Sequence, residues 1–209
     1  MKPIIFVVGA GAGIGGHVAK RFAREDYHAV LCRRSNEVGL HALVAEIEAE
    51  GGSAEGHLLN AVEPDTIEGR IEAVEADVGP IEVVLFNLGA QIGNKMLSET
   101  TYKQFELGWR LATFALFRTV QTVVPYMEQR DGGTILVTSA TAAYRGNAGQ
   151  GSHASAMGGR RLLCQSLNAE LAPKGIHMAH ILIDGSVDAP DTLGKMLGPE
   201  RFQELRERR

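Results

Sequence analysis

The stretch IIFVVGAGAGIGGHVA, residues 4–19, decides the fold of this chain. Five apolar residues, Ile4–Val8, predict a buried β-strand that passes directly into a glycine-dense segment. Glycines permit a tight turn and close packing of the next helix, which we predict over residues 13–24. Lys2 precedes the apolar run, but the glycines of residues 9–16 favour a strand–turn–helix unit over a secretory signal peptide.

Short apolar runs alternate with helical patterns along the rest of the chain. The predicted strands are Ile4–Val8, Ala29–Cys32, Ala54–Leu59, Val83–Asn87, Thr134–Thr138 and Met178–Ile183, and the predicted helices cover 13–24, 37–50, 64–77, 102–128 and 152–172. This alternation predicts an α/β fold of the Rossmann type, a doubly wound parallel sheet of order 3-2-1-4-5-6 between two helical layers. We expect residues 1–209 to form a single domain, with a mobile flap and one short helix at about 186–209.

Composition excludes several classes of function. The formal net charge of −4 implies no broad electrostatic attraction to nucleic acid or to a membrane surface. No apolar run of 18 residues follows the N-terminal strand, so we expect no transmembrane helix and a cytoplasmic protein. Cys32 and Cys164 are expected to be buried free thiols, with no metal site. The pair Arg160-Arg161 is expected to be solvated.

The glycine turn predicts a phosphate site. After the first strand come Gly9, Gly11, Ala12, Gly13, Ile14 and Gly15. Glycines let the backbone approach a pyrophosphate, and the start of the following helix offers free N–H groups and a positive dipole end. A purely structural glycine turn is the alternative, but the position between the first strand and the first helix favours a dinucleotide site.

The end of the second predicted strand favours one cofactor. An acidic residue there would bind ribose hydroxyls, whereas this chain has Arg33 and Arg34. Guanidinium groups suit a 2′-phosphate through charge-assisted hydrogen bonds, so NADP is favoured over NAD. In the alternative, one of the two arginines is merely solvated.

Several motifs together resemble the short-chain dehydrogenase/reductase family over nearly the whole chain. Gly9, Gly13 and Gly15 match its glycine turn. The resemblance implies cofactor contacts at the ends of the later strands, namely at Asn60, Ala61, Asn87, Leu88, Gly89, Asp184, Gly185 and Val187. It also implies an oxidoreductase that forms a homodimer or homotetramer through helices 102–128 and 152–172. The family's usual seventh strand is missing from the pattern.

The resemblance also locates a catalytic helix whose usual side chains are absent. In the family, a Tyr and a Lys four residues later act with a Ser and an Asn. An ungapped alignment places His153 at the Tyr position and Met157 at the Lys position. Ala140 takes the Ser position and Ala112 the Asn position. All four usual groups are therefore replaced.

Two hypotheses follow for the replaced site. Imidazole as a side-chain type titrates near neutrality, so His153 is a candidate acid/base, and Ser139 is a candidate hydroxyl if the strand end is shifted. In the alternative, His153 fills the Tyr volume, Ser139 caps a strand and Tyr144 only packs. Ser152 is a candidate cap for this helix.

The chain is thus expected to be either an NADP-dependent oxidoreductase for a small carbonyl or alcohol, or an NADP-binding sensor or oligomer partner without hydride transfer. A methyltransferase is a third possibility that Arg33 and Arg34 disfavour. Leu193, Met196 and Leu197 in the flap indicate only that the substrate site admits an apolar group.

Overall fold

The protein is described by a computed structural model that covers residues 2–89, 94–185, 187–189, 194 and 197–207. Its strands are β1 (Ile4–Val8), β2 (His28–Arg33), β3 (Ser53–Leu58), β4 (Ile81–Phe86), β5 (Gly133–Ala140) and β6 (Ile176–Ile183). Its α-helices are α1 (Ile14–Ala23), α2 (Glu37–Ala49), α3 (Thr66–Asp77), α4 (Tyr102–Trp109), α5 (Ala115–Glu128), α6 (Gly151–Leu171) and α7 (Pro199–Glu207).

The six strands form one parallel sheet of order β3-β2-β1-β4-β5-β6, as the sequence predicts. All five residues of β1 are buried, because the strand lies in the middle of the sheet and is covered on both faces. The described residues contain no seventh strand. None of the helices in the described ranges is both long and apolar enough to cross a membrane.

Two apolar clusters cover the two faces of the sheet. Leu40 and Ile47 of α2 pack with Ala19 of α1 on one face, against Ile5 and Val7 of β1. Helices α3, α5 and α6 pack on the other face, with a cluster that includes Ile67, Ile71, Leu116, Val123 and Cys164. Cys32 and Cys164 are buried free thiols, as predicted. The fold is therefore the three-layer, doubly wound Rossmann arrangement.

The predicted helix over residues 102–128 is interrupted, which corrects the sequence analysis. A π-helical turn, Arg110–Phe114, separates α4 from α5. In this turn the Thr113 hydroxyl donates to the Ala156 carbonyl oxygen of α6 at 2.8 Å. Such turns are frequent at functional sites, and this one packs on α6.

The sheet topology fixes where a ligand can bind. β1 has β2 on one side and β4 on the other, and the helices that follow β1 and β4 lie on opposite faces. This divergence opens a crevice at the carboxyl ends of the two strands. The residues predicted to bind a cofactor lie along this edge.

Candidate functional site

The turn after β1 has the geometry of a phosphate cradle. Gly9 has a φ of +100°, and a Cβ on it would lie 2.9 Å from the Asn87 carbonyl group. A Cβ on Gly15 would lie 2.3 Å from the Gly9 carbonyl oxygen. The amides of Gly9 and Ala10 both donate to the Cys32 carbonyl oxygen at 2.9 Å. Only glycine fits at positions 9 and 15 in this closed turn.

The start of α1 is suited to an anion. The helix begins at Ile14, and its N-cap residue, Gly13, has no side chain to accept the first amide groups. No acidic residue lies in the first turn. The first amides of a helix lack intrahelical acceptors and carry the positive end of the dipole. A Cβ on Gly11 would meet nothing within 4 Å, so this side of the turn is open to a ligand.

Asn87 ties the glycine turn to the neighbouring strands. Its Nδ2 donates to the Gly9 carbonyl oxygen at 3.0 Å, and its Oδ1 accepts a bond from the Thr138 hydroxyl at 2.8 Å. The side chain therefore holds β1, β4 and β5 together at the crevice. The next residue, Leu88, packs against Gly9, and Gly89 is exposed beyond it.

The two arginines after β2 occupy different environments. Arg33 is half-buried, and its Nη1 lies 3.1 Å from the position of a Cβ on Gly39, near the start of α2. Arg34 is exposed. Neither side chain forms an ion pair with a carboxylate among the described residues. Each guanidinium is therefore available to an added anion.

A cavity of about 490 Å³ lies between α1 and α2, with Arg33 in its wall. Two other cations of this wall, Lys20 and Arg206, are neutralised by Glu46 and Asp188. Arg33 thus supplies positive charge to a space next to the glycine turn.

The end of β3 is held by a buried arginine. Arg118 of α5 donates to both carboxylate oxygens of Glu68 at 2.5 Å and to the carbonyl oxygens of Ala61 and Glu63. Burial is the largest single influence on Glu68 and opposes its ionisation, but the hydrogen bonds and charge of Arg118, together with backbone hydrogen bonds at the start of α3, lower the pKa of this carboxyl group. Asn60 donates through Nδ2 to Glu63 at 2.7 Å. Asn60 and Ala61 therefore belong to a rigid corner beside the crevice.

The segment after β6 covers the glycine turn. Val187 Cγ1 and Ala189 Cβ lie 3.6 and 3.2 Å from the position of a Cβ on Gly13. Asp184 and Gly185 are exposed at the strand end. Two predicted flap residues, Leu193 and Met196, lie outside the described residues.

A second cleft opens where β4, β5 and β6 end, and it encloses about 170 Å³. It is lined by residues from all three strand ends and from α6, including Asn87, Ser139, Ala140, His153, Met157 and Ile183. The structure thus brings the two predicted catalytic residues, His153 and Ser139, to one cleft. Ala112 is fully buried in the π-helical turn and does not line it.

Ser139 is less available than the sequence predicts. It is part of β5 and only 7% exposed, and its hydroxyl donates to Met157 Sδ at 3.7 Å. Ser152 lies inside α6, which starts at Gly151 after Gln150, so it is not the N-cap. Tyr144 is largely exposed and stacks on Arg161, whose guanidinium carbon lies 4.5 Å from the ring centre.

Sequence analysis missed Arg160, which is not solvated but 1% exposed. Its Nε donates to the Ala112 carbonyl oxygen at 2.8 Å, its Nη1 to Thr138 at 2.7 Å and its Nη2 to Leu88 at 2.6 Å. Arg160 follows His153 by seven residues, so both share one face of a helix. That spacing could have placed it in the cleft.

Comparison with known proteins agrees with this geometry. The family model described as short chain dehydrogenase matches residues 3–190. The 2-dehydro-3-deoxy-D-gluconate 5-dehydrogenase of Formosa agariphila is 27% identical over 175 residues, which are 84% of this chain and 66% of that protein. The chain therefore spans just under two thirds of that relative's length.

Solved structures are similar over most of the chain. A short-chain dehydrogenase from Rhodopseudomonas palustris is 39% identical with a TM-score of 0.83, covering 88% of this chain and 85% of that one. A 7 alpha-hydroxysteroid dehydrogenase complexed with NADH and 7-oxo glycochenodeoxycholic acid is 26% identical with a TM-score of 0.81, covering 86% and 69%. Together with the matched family model, these similarities show that the chain belongs to the short-chain dehydrogenase family.

Proposed function

We propose that the chain binds a nicotinamide dinucleotide along the carboxyl edge of the sheet, with NADP(H) preferred over NAD(H). The observation that carries this proposal is the side-chain-free turn at the uncapped start of α1, beside Arg33. The pyrophosphate would lie on the amides of residues 12–15, beside the open position of Gly11. Arg33 and Arg34, which have no carboxylate partner in the described ranges, would bind the 2′-phosphate.

The remaining predicted contacts fit the same path. Asn60 and Ala61 would border the adenine, at the corner held by Arg118. The nicotinamide half would enter the cleft at the ends of β4–β6, bordered by residues 87–89 and the segment 184–187. In this family the bound cofactor supplies or accepts a hydride.

We further propose an oxidoreductase for a small carbonyl or alcohol, with His153 as the group that donates or accepts the proton. Its imidazole lines the cleft and belongs to the residue type that exchanges protons near pH 7. Ser139 would support the substrate oxygen only after its hydroxyl leaves Met157.

A second candidate function is binding of the cofactor without hydride transfer, as a sensor or as a partner of active relatives. The Ser139–Met157 contact favours it, since it occupies the hydroxyl that would otherwise meet the substrate. Ala140 and Ala112 add no polar side chain. A methyltransferase is disfavoured, because Arg33 stands where an acidic residue would be needed.

The two candidates differ in their response to His153→Ala. We expect the wild-type protein to oxidise NADPH with some member of a panel of small aldehydes and ketones. His153→Ala should then lower kcat about 100-fold or more, while the Kd for NADPH changes less than twofold. His41→Ala, at an exposed position of α2, is the control. Equal turnover by wild type and His153→Ala contradicts the role of His153, and no turnover by wild type favours the second candidate.

We also propose that residues 1–209 act as one cofactor-binding domain that self-associates. Large apolar side chains are exposed on one stretch of helix, with Tyr102 97%, Phe105 47% and Trp109 44% exposed. Such a patch favours burial against a second copy. We expect sedimentation velocity to give a dimer or tetramer, and Trp109→Arg to shift it towards monomer. A monomeric wild type at tens of micromolar concentration would contradict this proposal.

A further inference from the structure

The guanidinium of Arg160 is a buried positive charge at the cleft. It is held by three backbone carbonyl oxygens, one from the π-helical turn, one from β5 and one from the residues after β4. Its carbon lies 5.1 Å from the centre of the Phe86 ring. Carbonyl dipoles and an aromatic face stabilise a cation without neutralising it.

No carboxylate balances this charge in the part of the chain that the structure describes. The contrast is Arg118, which is also buried but forms two hydrogen bonds to the Glu68 carboxylate. Burial lowers the pKa of Arg160 to about 10, so the group stays protonated at neutral pH.

Two titratable groups that interact with Arg160, Cys164 and His180, do not supply a negative charge either. Burial raises the pKa of Cys164, one helical turn along α6, to about 11, so it remains a neutral thiol. Burial and the charges of Arg160 and Arg161 lower the pKa of His180 on β6, which favours its neutral form. Among the described residues that line the cleft, Arg160 is therefore the one with a permanent charge, and that charge is positive.

This charge lies where the second half of a dinucleotide would bind. The glycine turn divides the crevice, with Arg33 on the side of β2 and β3 and the cleft on the side of β4–β6. Ile14 of the turn and Arg160 both line the cleft. The two redox forms of a nicotinamide ring differ by one positive charge, which the oxidised ring carries and the reduced ring lacks.

We propose that Arg160 makes the chain select the reduced, uncharged nicotinamide ring over the oxidised, cationic ring. This inference rests on the proposed binding of the cofactor. At an effective dielectric constant of about 20, the repulsion between two unit charges changes a binding constant about tenfold at a separation of about 12 Å, and more at shorter separations. The protein would therefore be biased towards NADPH whether or not it transfers hydride.

The test is a calorimetric titration of the wild-type protein with NADPH and with NADP⁺ at pH 7. We expect the Kd for NADP⁺ to exceed the Kd for NADPH about tenfold or more. Arg160→Met and Arg160→Gln remove the charge and should bring the ratio to within about threefold of unity. Arg160→Lys retains the charge and should retain most of the preference.

Arg161→Met is the matched control, since it removes the same charge one residue further along α6. It should leave the ratio unchanged, because Arg161 stacks on the exposed Tyr144 ring rather than on cleft carbonyl groups. Circular dichroism before each titration identifies variants that have not folded.

The outcomes separate this inference from the proposed function. If the wild type binds neither form, the proposed function and the inference both fail. If the wild type binds NADPH and NADP⁺ equally well, only the inference fails. This outcome needs no folded Arg160→Met or Arg160→Gln variant. A strong preference that survives in a folded Arg160→Met variant also overturns the role of Arg160.

Discussion

The two halves of the crevice are lined by different kinds of groups. On the side of β1–β3, the surface consists of bare backbone at the glycine turn and of Arg33 and Arg34, which form no ion pair with any carboxylate that the structure describes. On the side of β4–β6, it consists of side chains, among them His153, Met157 and Arg160. A backbone cradle keeps its chemistry as long as glycine is kept, whereas a side-chain site changes with each substitution. Cofactor binding and catalysis can therefore diverge within one chain.

Two arginines, Arg118 and Arg160, are buried in the part of the chain that the structure describes, and their different partners predict different roles. Arg118 is balanced by Glu68 and clamps the end of β3. Arg160 has only carbonyl oxygens as hydrogen-bond partners among the described residues and leaves its charge at the cleft. The first is expected to act on stability and the second on ligand preference.

The largest effect is expected from Gly15→Ala in the glycine turn, on the β1–β3 side of the crevice. Its Cβ would lie 2.3 Å from the Gly9 carbonyl oxygen, so the turn must shift. We expect the free energy of unfolding to fall by about 3 kcal/mol and NADPH binding to be lost. Urea unfolding and calorimetry measure the two effects.

Gly69→Ala in α3 is the matched control, because a Cβ there meets nothing within 4 Å. This variant should gain up to about 1 kcal/mol from helix propensity and bind NADPH normally. If Gly15→Ala has the same free energy of unfolding and the same NADPH affinity as Gly69→Ala, the turn does not need glycine at position 15, which contradicts this account.

A smaller effect is expected from Arg33→Ser, which tests the proposed preference for NADPH over NADH. Loss of a charge-assisted hydrogen bond to the 2′-phosphate should weaken NADPH binding about 10- to 100-fold. NADH binding should change less than twofold, since NADH lacks this phosphate. Arg145→Ser, at an exposed position, should alter neither Kd. An equal loss for both cofactors would instead indicate a structural role for Arg33.

The smallest effect is expected from Glu68→Gln and depends on pH. The pKa of Glu68 is lowered in the folded protein, so its ionisation stabilises the fold above the unfolded pKa of about 4.3. This contribution is lost as the pH falls through the lower, folded pKa. We expect Glu68→Gln to cost about 1 kcal/mol at pH 7. The difference from wild type should shrink below about pH 4, and a difference constant between pH 7 and pH 3 would argue against the ion pair.

Much of the fold could be predicted from the sequence. Apolar runs such as Ile4–Val8 locate strands because a strand buried on both faces must be apolar throughout. Their alternation with helices, together with the handedness of crossovers, leaves few sheet orders. The glycine turn was recognisable because backbone geometry restricts which residues can occupy it.

Other features could not be derived from local patterns. The π-helical turn contains no proline or glycine, and its contact from Thr113 to Ala156 joins residues 43 positions apart. The sequence predicts a solvated Arg160 because most arginines are solvated. Its spacing of seven residues from His153 instead indicates that it lies on the helix face that lines the cleft. Its three carbonyl partners come from three segments distant in sequence. Contacts of this kind arise from tertiary packing.

The central claim is that the chain binds NADP(H) at the crevice, although the family resemblance predicts that the usual catalytic groups are replaced. A calorimetric titration of the wild-type protein with NADPH and, separately, with NADH tests it most directly. We predict one binding site per chain, with NADPH bound at least tenfold more tightly than NADH. Absence of binding by both cofactors would contradict the claim and indicate that the crevice serves only as a scaffold.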